Sequence, residues 1–149
     1  MNRLVVALEH YASTHSERVV IQRGTSTVVT TSATSFPFAS TDELRNLAQQ
    51  ARVVVTHAGP SLLLEWIDAG RLPVVVPRLR REREHVDNHQ SQFAQFLLDH
   101  AAVAVAWTIS DLPALLEKHQ DRASSTLPPA DRASTLIRFA SMMSNLRRQ

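Results

Sequence analysis

The sequence predicts an α/β domain built on a parallel sheet. Three observations carry that expectation. Arg52-Val53-Val54-Val55-Thr56, Val74-Val75-Val76 and Val103-Ala104-Val105-Ala106 are apolar runs without polar alternation. Such runs read as strands buried on both faces, the pattern of a parallel sheet. Between them lie stretches whose apolar residues recur at helical spacing, with Gly and Pro at the joints.

Taken in order, Leu4, Val5, Leu8 and Tyr11 repeat at helical spacing, so the chain opens with a helix. Arg18-Val19-Val20-Ile21-Gln22 reads as a short strand. Residues Thr25 to Ser35 are rich in Thr, Ser and Val and fit either a second short strand or a surface loop. Ser35-Phe36-Pro37-Phe38 reads as extended, with Pro37 barred from a central ladder position. Ser40-Thr41-Asp42-Glu43 is a helix-start signature, continued by Leu44, Leu47, Ala48 and Ala51. After the valine run ending at Thr56 come the turn His57-Ala58-Gly59, a helix from Pro60 to Ala69, and Gly70 as its C-cap. Pro77 closes the next strand, and an arginine-rich loop runs from Arg78 to Glu84. Asp87 or Asn88 caps a helix through Phe93, Phe96, Leu97 and His100, and Asp111 starts another. Pro128-Pro129 breaks the chain before a final amphipathic helix (Leu136, Ile137, Ala140, Met143, Leu146). The expected organisation is therefore one α/β domain over residues 1–127, with residues 128–149 packing on it or on a partner.

Size and composition agree with one ordinary globular domain. The chain has 149 residues, 44% hydrophobic and 20% charged. There is no run of about eighteen apolar residues, no secretory signal pattern and no cysteine. A cytoplasmic location fits these features. Sixteen basic against fourteen acidic residues leave a net charge of only +2. Aromatic residues are 5%, so the interleaved basic and aromatic surface of a nucleic-acid-binding domain is not expected.

Ligands of parallel α/β sheets collect at the carboxyl ends of the strands. Two polar segments fall there. In Thr56-His57-Ala58-Gly59-Pro60-Ser61 a strand ends, Gly59 permits a tight turn, and Pro60 begins a helix. The free N–H groups and dipole of that helix start form a site for an anion such as a phosphate. His57 at its mouth adds an N–H donor, or else serves only to hydrogen-bond the turn backbone. Glu65, one turn on, sits in a helix otherwise apolar nearly all round. A carboxylate buried there needs a partner, which a ribose diol could supply; the alternative is an exposed stripe shared with Asp68.

The second segment is Glu84-His85-Val86-Asp87-Asn88-His89-Gln90. Its mixture of donors and acceptors suits sugar hydroxyls, while simple capping by Asp87 or Asn88 explains part of it. A metal held by His85, Asp87 and His89 is not expected, because the capping residues place the helix start after His85. The loop Arg78-Leu79-Arg80-Arg81-Glu82-Arg83 reads as a solvated loop, or as one that meets a diphosphate, anionic head groups or an acidic partner.

Together, His57-x-Gly59-x-Ser61-x-x-x-Glu65, Gly70-x-x-Pro73, Pro77 and His85-Val86-Asp87-Asn88-His89-Gln90 resemble the C-terminal domain of glycosyltransferase family 28. The likeness is greatest to its small split members, the catalytic subunits of two-part UDP-GlcNAc transferases and bacterial exopolysaccharide transferases. It implies a Rossmann-like parallel sheet forming one half of a GT-B fold. It also implies a UDP-sugar donor, no divalent metal and no other cofactor. Carried over by position, His57, Gly59 and Ser61 face the diphosphate and Glu65 holds the ribose, while Asp87, Asn88 and Gln90 bind the donor sugar. By the same resemblance the acceptor, a lipid-diphosphate-linked sugar, comes from a membrane-anchored partner subunit, which is also a candidate source of the catalytic base. A UDP-sugar-binding regulatory relic without turnover is the alternative. Three departures stand out: Ala58 replaces a second glycine, Leu62 replaces a small hydroxyl residue, and Met1-Asn2-Arg3-Leu4 lies almost inside the first helix. The expected sheet therefore lacks the usual first strand, a central one, leaving two neighbours with unpaired edges.

Overall fold

The computed structural model describes residues 1–68, 71–84, 89–100, 103–119, 134, 137 and 141. Its elements follow one another as α1 (Asn2–Thr14), β1 (Val20–Gln22), β2 (Thr34–Phe36), α2 (Thr41–Gln50), β3 (Val55–Thr56), α3 (Pro60–Asp68), β4 (Val74–Val75), α4 (His89–His100), β5 (Ala104–Val105) and α5 (Leu112–Lys118). All strand pairs are parallel. They form two sheets, β1-β2 and β3-β4-β5, rather than one.

Alternation along β4 explains the layers. Val75 points to one face and packs with Leu63 of α3 and Phe93, Ala94 and Leu97 of α4. Val74 and Val76 point to the other, against Tyr11 of α1 and Leu112 and Leu116 of α5. All three valines are inaccessible to solvent. Full burial of Leu63, Leu97 or Phe93 contributes ~1.5–3 kcal/mol each, so this double-sided packing is the main cohesive force. A smaller cluster, Val5, Ile21 and Ala33, seats α1 on the β1-β2 sheet.

The expected strand at Arg52–Thr56 needs correction. Only Val55–Thr56 is a strand, and Val53, Val54 and Val55 are half-buried rather than covered on both faces. The cause is topological: among the described residues β3 pairs with β4 on one edge only, and its other edge opens on a cavity. The Ser/Thr-rich stretch resolves into a loop followed by β2, which ends before Pro37. Ser40 caps α2 through a complete capping box with Glu43, as the sequence signature requires. The residues expected as C-cap (Gly70), the histidine-rich segment 85–88, the Pro128-Pro129 break and most of the last helix lie outside the described residues.

Two arginine–carboxylate pairs tie the sheets together. Arg3 of α1 grips Glu84 through Nε (3.1 Å) and Nη2 (3.0 Å), and the same Nη2 donates to the Pro77 carbonyl (2.8 Å). Arg52 donates through Nε to Glu17 (2.7 Å) and through Nη1 to the Leu116 carbonyl (2.9 Å). The Arg52 hydrogen bonds hold the Glu17 carboxyl below its usual range, and burial raises the Tyr11 hydroxyl above its own.

The loop before β2 is organised by one side chain. Glu9 accepts the backbone N–H groups of Thr31 (2.8 Å), Ser32 (2.7 Å) and Ala33 (2.9 Å). These bonds, that of Ala33 foremost, lower its pKa from 4.5 to about 2. A depressed carboxyl stabilises the fold above its unfolded pKa, and that contribution is lost as pH falls from 4.5 toward 2. The Glu9→Gln variant should therefore be less stable than wild type at neutral pH and converge with it on acidification. Thermal unfolding of both proteins as a function of pH checks this, and parallel curves would contradict it.

Candidate functional site

The strand-to-helix joint after β3 is built around a glycine. The Gly59 N–H donates to the His57 carbonyl at 2.7 Å, which closes a tight turn, and the Thr56 hydroxyl donates to the same carbonyl at 3.3 Å. The imidazole of His57 folds over Gly59 so closely that a Cβ there would lie 2.1 Å from its Cε1. No side chain larger than hydrogen fits without displacing the ring. The Leu63 N–H returns to the Gly59 carbonyl (3.2 Å), so α3 begins here. Its first N–H groups, those of Ser61 and Leu62, have no acceptor within the helix, and the helix dipole adds positive potential.

His57 faces a cavity of about 570 Å³ between the two sheets. Around its mouth, at the carboxyl ends of the strands, stand Arg23, Gly24, His57 and Arg78. Arg78 directly follows Pro77, and its Nε is buried without a hydrogen-bond partner. A buried guanidinium nitrogen left unsatisfied is costly, and an anion at the mouth would relieve it. The arginine loop thus contributes one residue, Arg78, to the same place as His57. Sequence alone did not single it out from its neighbours, because what distinguishes it is depth.

The remaining expected site residues are distributed as follows. Ser61 is exposed on the first turn of α3, and Glu65 lies one turn beyond on the same face. The helix is not buried all round, as its apolar composition predicts. Leu63 and Trp66 are buried, whereas Ser61 is exposed and Leu62 and Glu65 are partly so. Glu65 has a protein partner: Arg45 of α2 donates to it through Nη2 at 2.6 Å while also holding Asp42 at 2.8 Å. The sequence offers no sign of that pairing, since it depends on α2 lying beside α3. Gln90 is buried in the first turn of α4, where its Oε1 accepts the Arg78 N–H at 3.0 Å. It therefore holds the base of the arginine loop, with its amide NH₂ still a donor. Asp87, Asn88 and His85 lie outside the described residues. Next to Gln90, a shallow open depression at the ends of β4 and β5 is lined by Arg80, Arg81, Ser91, Trp107 and Thr108. Among the described residues no three His, Asp or Glu side chains converge as metal ligands, and no helix is long and apolar enough to cross a membrane.

The arrangement can bind an anion: backbone donors, an imidazole and a buried guanidinium converge on one mouth. A Gly59→Ala substitution should leave the circular dichroism spectrum of the fold intact while shifting the ring resonances of His57. Unchanged His57 resonances in NMR would mean that the imidazole does not pack over the glycine.

Comparison with known proteins gives one clear result. No curated protein and no solved structure matches the chain. A family profile, described as the glycosyltransferase family 28 C-terminal domain, matches residues 1–146. That span takes in both the His57 turn and the polar segment before α4, so the chain belongs to glycosyltransferase family 28, of which it is a C-terminal domain.

Proposed function

We propose that this domain binds a UDP-sugar at the mouth between the two sheets and serves transfer of the hexose to a membrane-linked, lipid-diphosphate acceptor. One observation carries the reading: His57, the α3 amino terminus and the buried Arg78 nitrogen converge where a diphosphate requires donors. Phosphate oxygens can accept from all three groups, the buried Arg78 Nε being the one left without a partner, and hydrogen bonds to a charged group are the strong ones. Gly59 lets the imidazole and the turn backbone lie against the same anion. Ser61, on the open first turn of α3, adds a hydroxyl donor.

The ribose falls to Glu65 on this reading. Its Arg45 pair is partly exposed, with side chains 27% and 44% accessible. A pair this open contributes only ~0.2–1 kcal/mol, so ribose hydroxyls can displace the guanidinium at small cost. Asp87, Asn88 and Gln90 are assigned to the donor sugar by position in the family pattern. In the reaction an acceptor hydroxyl attacks the anomeric carbon as its bond to the β-phosphate oxygen breaks. UDP leaves with that electron pair, and a base takes the hydroxyl proton. Stabilising the departing diphosphate is the task the His57–Arg78 mouth is suited to. A membrane-anchored partner subunit supplies the acceptor and completes the site. The location is then the inner face of the membrane, reached through that partner.

A second reading, a UDP-sugar-binding module without turnover, is favoured by Glu65 already having Arg45 as its partner. Calorimetric titration of UDP and of UDP-GlcNAc in the absence of metal tests the shared part. Saturable binding should weaken about tenfold, or ~1.4 kcal/mol, in His57→Ala and again in Arg78→Ala. Absence of binding to folded protein would overturn both readings, and binding without sugar release to any added acceptor and partner would favour the second. Glu65→Ala should weaken UDP more than inorganic pyrophosphate, since only UDP carries a ribose. Equal effects on the two would remove Glu65 from the ribose role.

A further inference from the structure

The rim that carries His57 and Arg78 continues past β4 to β5, where the depression beside Gln90 opens. Neighbouring strands lie ~4.8 Å apart, so this depression begins about one strand spacing beyond Arg78. It measures about 750 Å³, within the roughly 300–1,000 Å³ of small-ligand sites. Its charge is one-sided. Arg80 and Arg81 line it, and among the described residues no acidic side chain does. Glu82 meets Arg81 only at 3.6 Å, with both side chains exposed, a contact that solvent screens. The wall is Trp107, which is half-buried: it packs against the cluster of Phe93 and Leu97 and also lines the depression. Ser91 and Thr108 add hydroxyl groups.

The backbone that carries the two arginines is tied down. The Arg78 N–H donates to Gln90 at 3.0 Å, and the Leu79 N–H to Glu84, the carboxylate that Arg3 grips, at 3.3 Å. Within the loop, the N–H groups of Glu82 and Arg83 return to the Leu79 and Arg80 carbonyls at 3.1 and 2.9 Å, closing one 3₁₀ turn over Arg80–Glu82. Arg83 ends that turn at φ 54°, a left-handed conformation that few residues other than glycine adopt. Adjacent cations are thus held on one rim, which lowers the ordering cost of a ligand that meets both.

Each feature narrows the ligand. Two guanidiniums without an acid select an anion, and their fork geometry matches a carboxylate. A flat indole wall favours a ligand with an apolar face over a bare ion, and the C–H face of a sugar ring is one. Hydroxyl groups at the edge suit the remaining sugar hydroxyls. We propose that this depression is a subsite for an acidic sugar, a hexuronate whose carboxylate pairs with Arg80 and Arg81 while its ring lies on Trp107. The acid arrives by one of two routes, as the sugar of the donor nucleotide or as the terminal sugar of the acceptor. The inference deepens the sugar-transfer reading and rests on it for the nucleotide route alone.

Trp107 supplies the readout, because the only other tryptophan, Trp66, is buried in α3. Loss of one indole N–H resonance in Trp107→Phe assigns its signal. With UDP present, methyl glucuronoside at millimolar concentration should shift that resonance, and methyl glucoside should not. On the donor route UDP-glucuronate binds at least about tenfold tighter than UDP-glucose in calorimetry. On the acceptor route the two nucleotides bind alike and only the glycoside reports the acid. By either route the double variant Arg80→Gln, Arg81→Gln should abolish the preference for the acid and leave the affinity for UDP unchanged. Acidic and neutral sugars that behave alike in both assays overturn the proposal. So does an acid preference that survives the double variant. A shift of Trp107 by UMP as strong as that by UDP-glucuronate also overturns it, and assigns the wall to a base. Failure of UDP to bind removes the sugar-transfer reading instead, and the glycoside titration repeated without nucleotide then decides this inference by itself.

Discussion

The two sheets share no ladder hydrogen bond among the described residues, so the architecture depends on two arginine–carboxylate braces and on α1. Arg3–Glu84 closes the carboxyl end of the gap and Arg52–Glu17 the amino end. The Arg3–Glu84 pair is not a surface pair of the sort that contributes little. Arg3 and Glu84 are 19% and 10% accessible, and each arginine also donates to a main-chain carbonyl. Losing one partner of such a pair leaves a charge half out of water, a cost well above the net value of the pair itself. The braces thus fix the separation of β1 from β3, and with it the placement of His57 opposite Arg78.

The site follows from that frame. β3 delivers His57, one residue past its end, and β4 delivers Arg78, three residues past its own. Their approach needs no specific contact between them. It needs only β3 and β4 in register, which the pairs Val55–Val74 and Thr56–Val75 provide. A parallel sheet with helices on both faces brings polar groups together in this way, because all strands run out at the same rim.

Local signals in the sequence were good guides and non-local ones were silent. The Ser40–Glu43 box is visible because both its bonds close within four residues, and the structure shows both. Val74–Val76 reads as a buried strand and is one, since it has strand or helix on every side. Val53–Val55 reads the same way and is only half-buried, because burial of a strand depends on neighbours its own letters do not specify. Thr25–Ser35 was undecidable for a related reason: its conformation is imposed by Glu9, more than twenty residues earlier. The candidate site divides along the same line. The His57–Gly59 turn and the helix start at Pro60 were legible, whereas the depth of Arg78, the Arg45–Glu65 pair and the bond from Gln90 to the loop were not.

The placement of arginine around the open edges carries a consequence for the molecule in a crowded solution. Arg18 and Arg23 bracket β1, and Arg52 precedes β3. Bare strand edges recruit other strands, and aggregation through them rises with concentration. Charged residues flanking short apolar strands act as gatekeepers: a molecule pairing with β1 must bring its own strand alongside a cation at each end. With edges of three and two residues, little ladder energy is available to offset that repulsion. Part of the basic character of the chain is thereby explained without any acidic partner, as protection of an interior against unrelated strands.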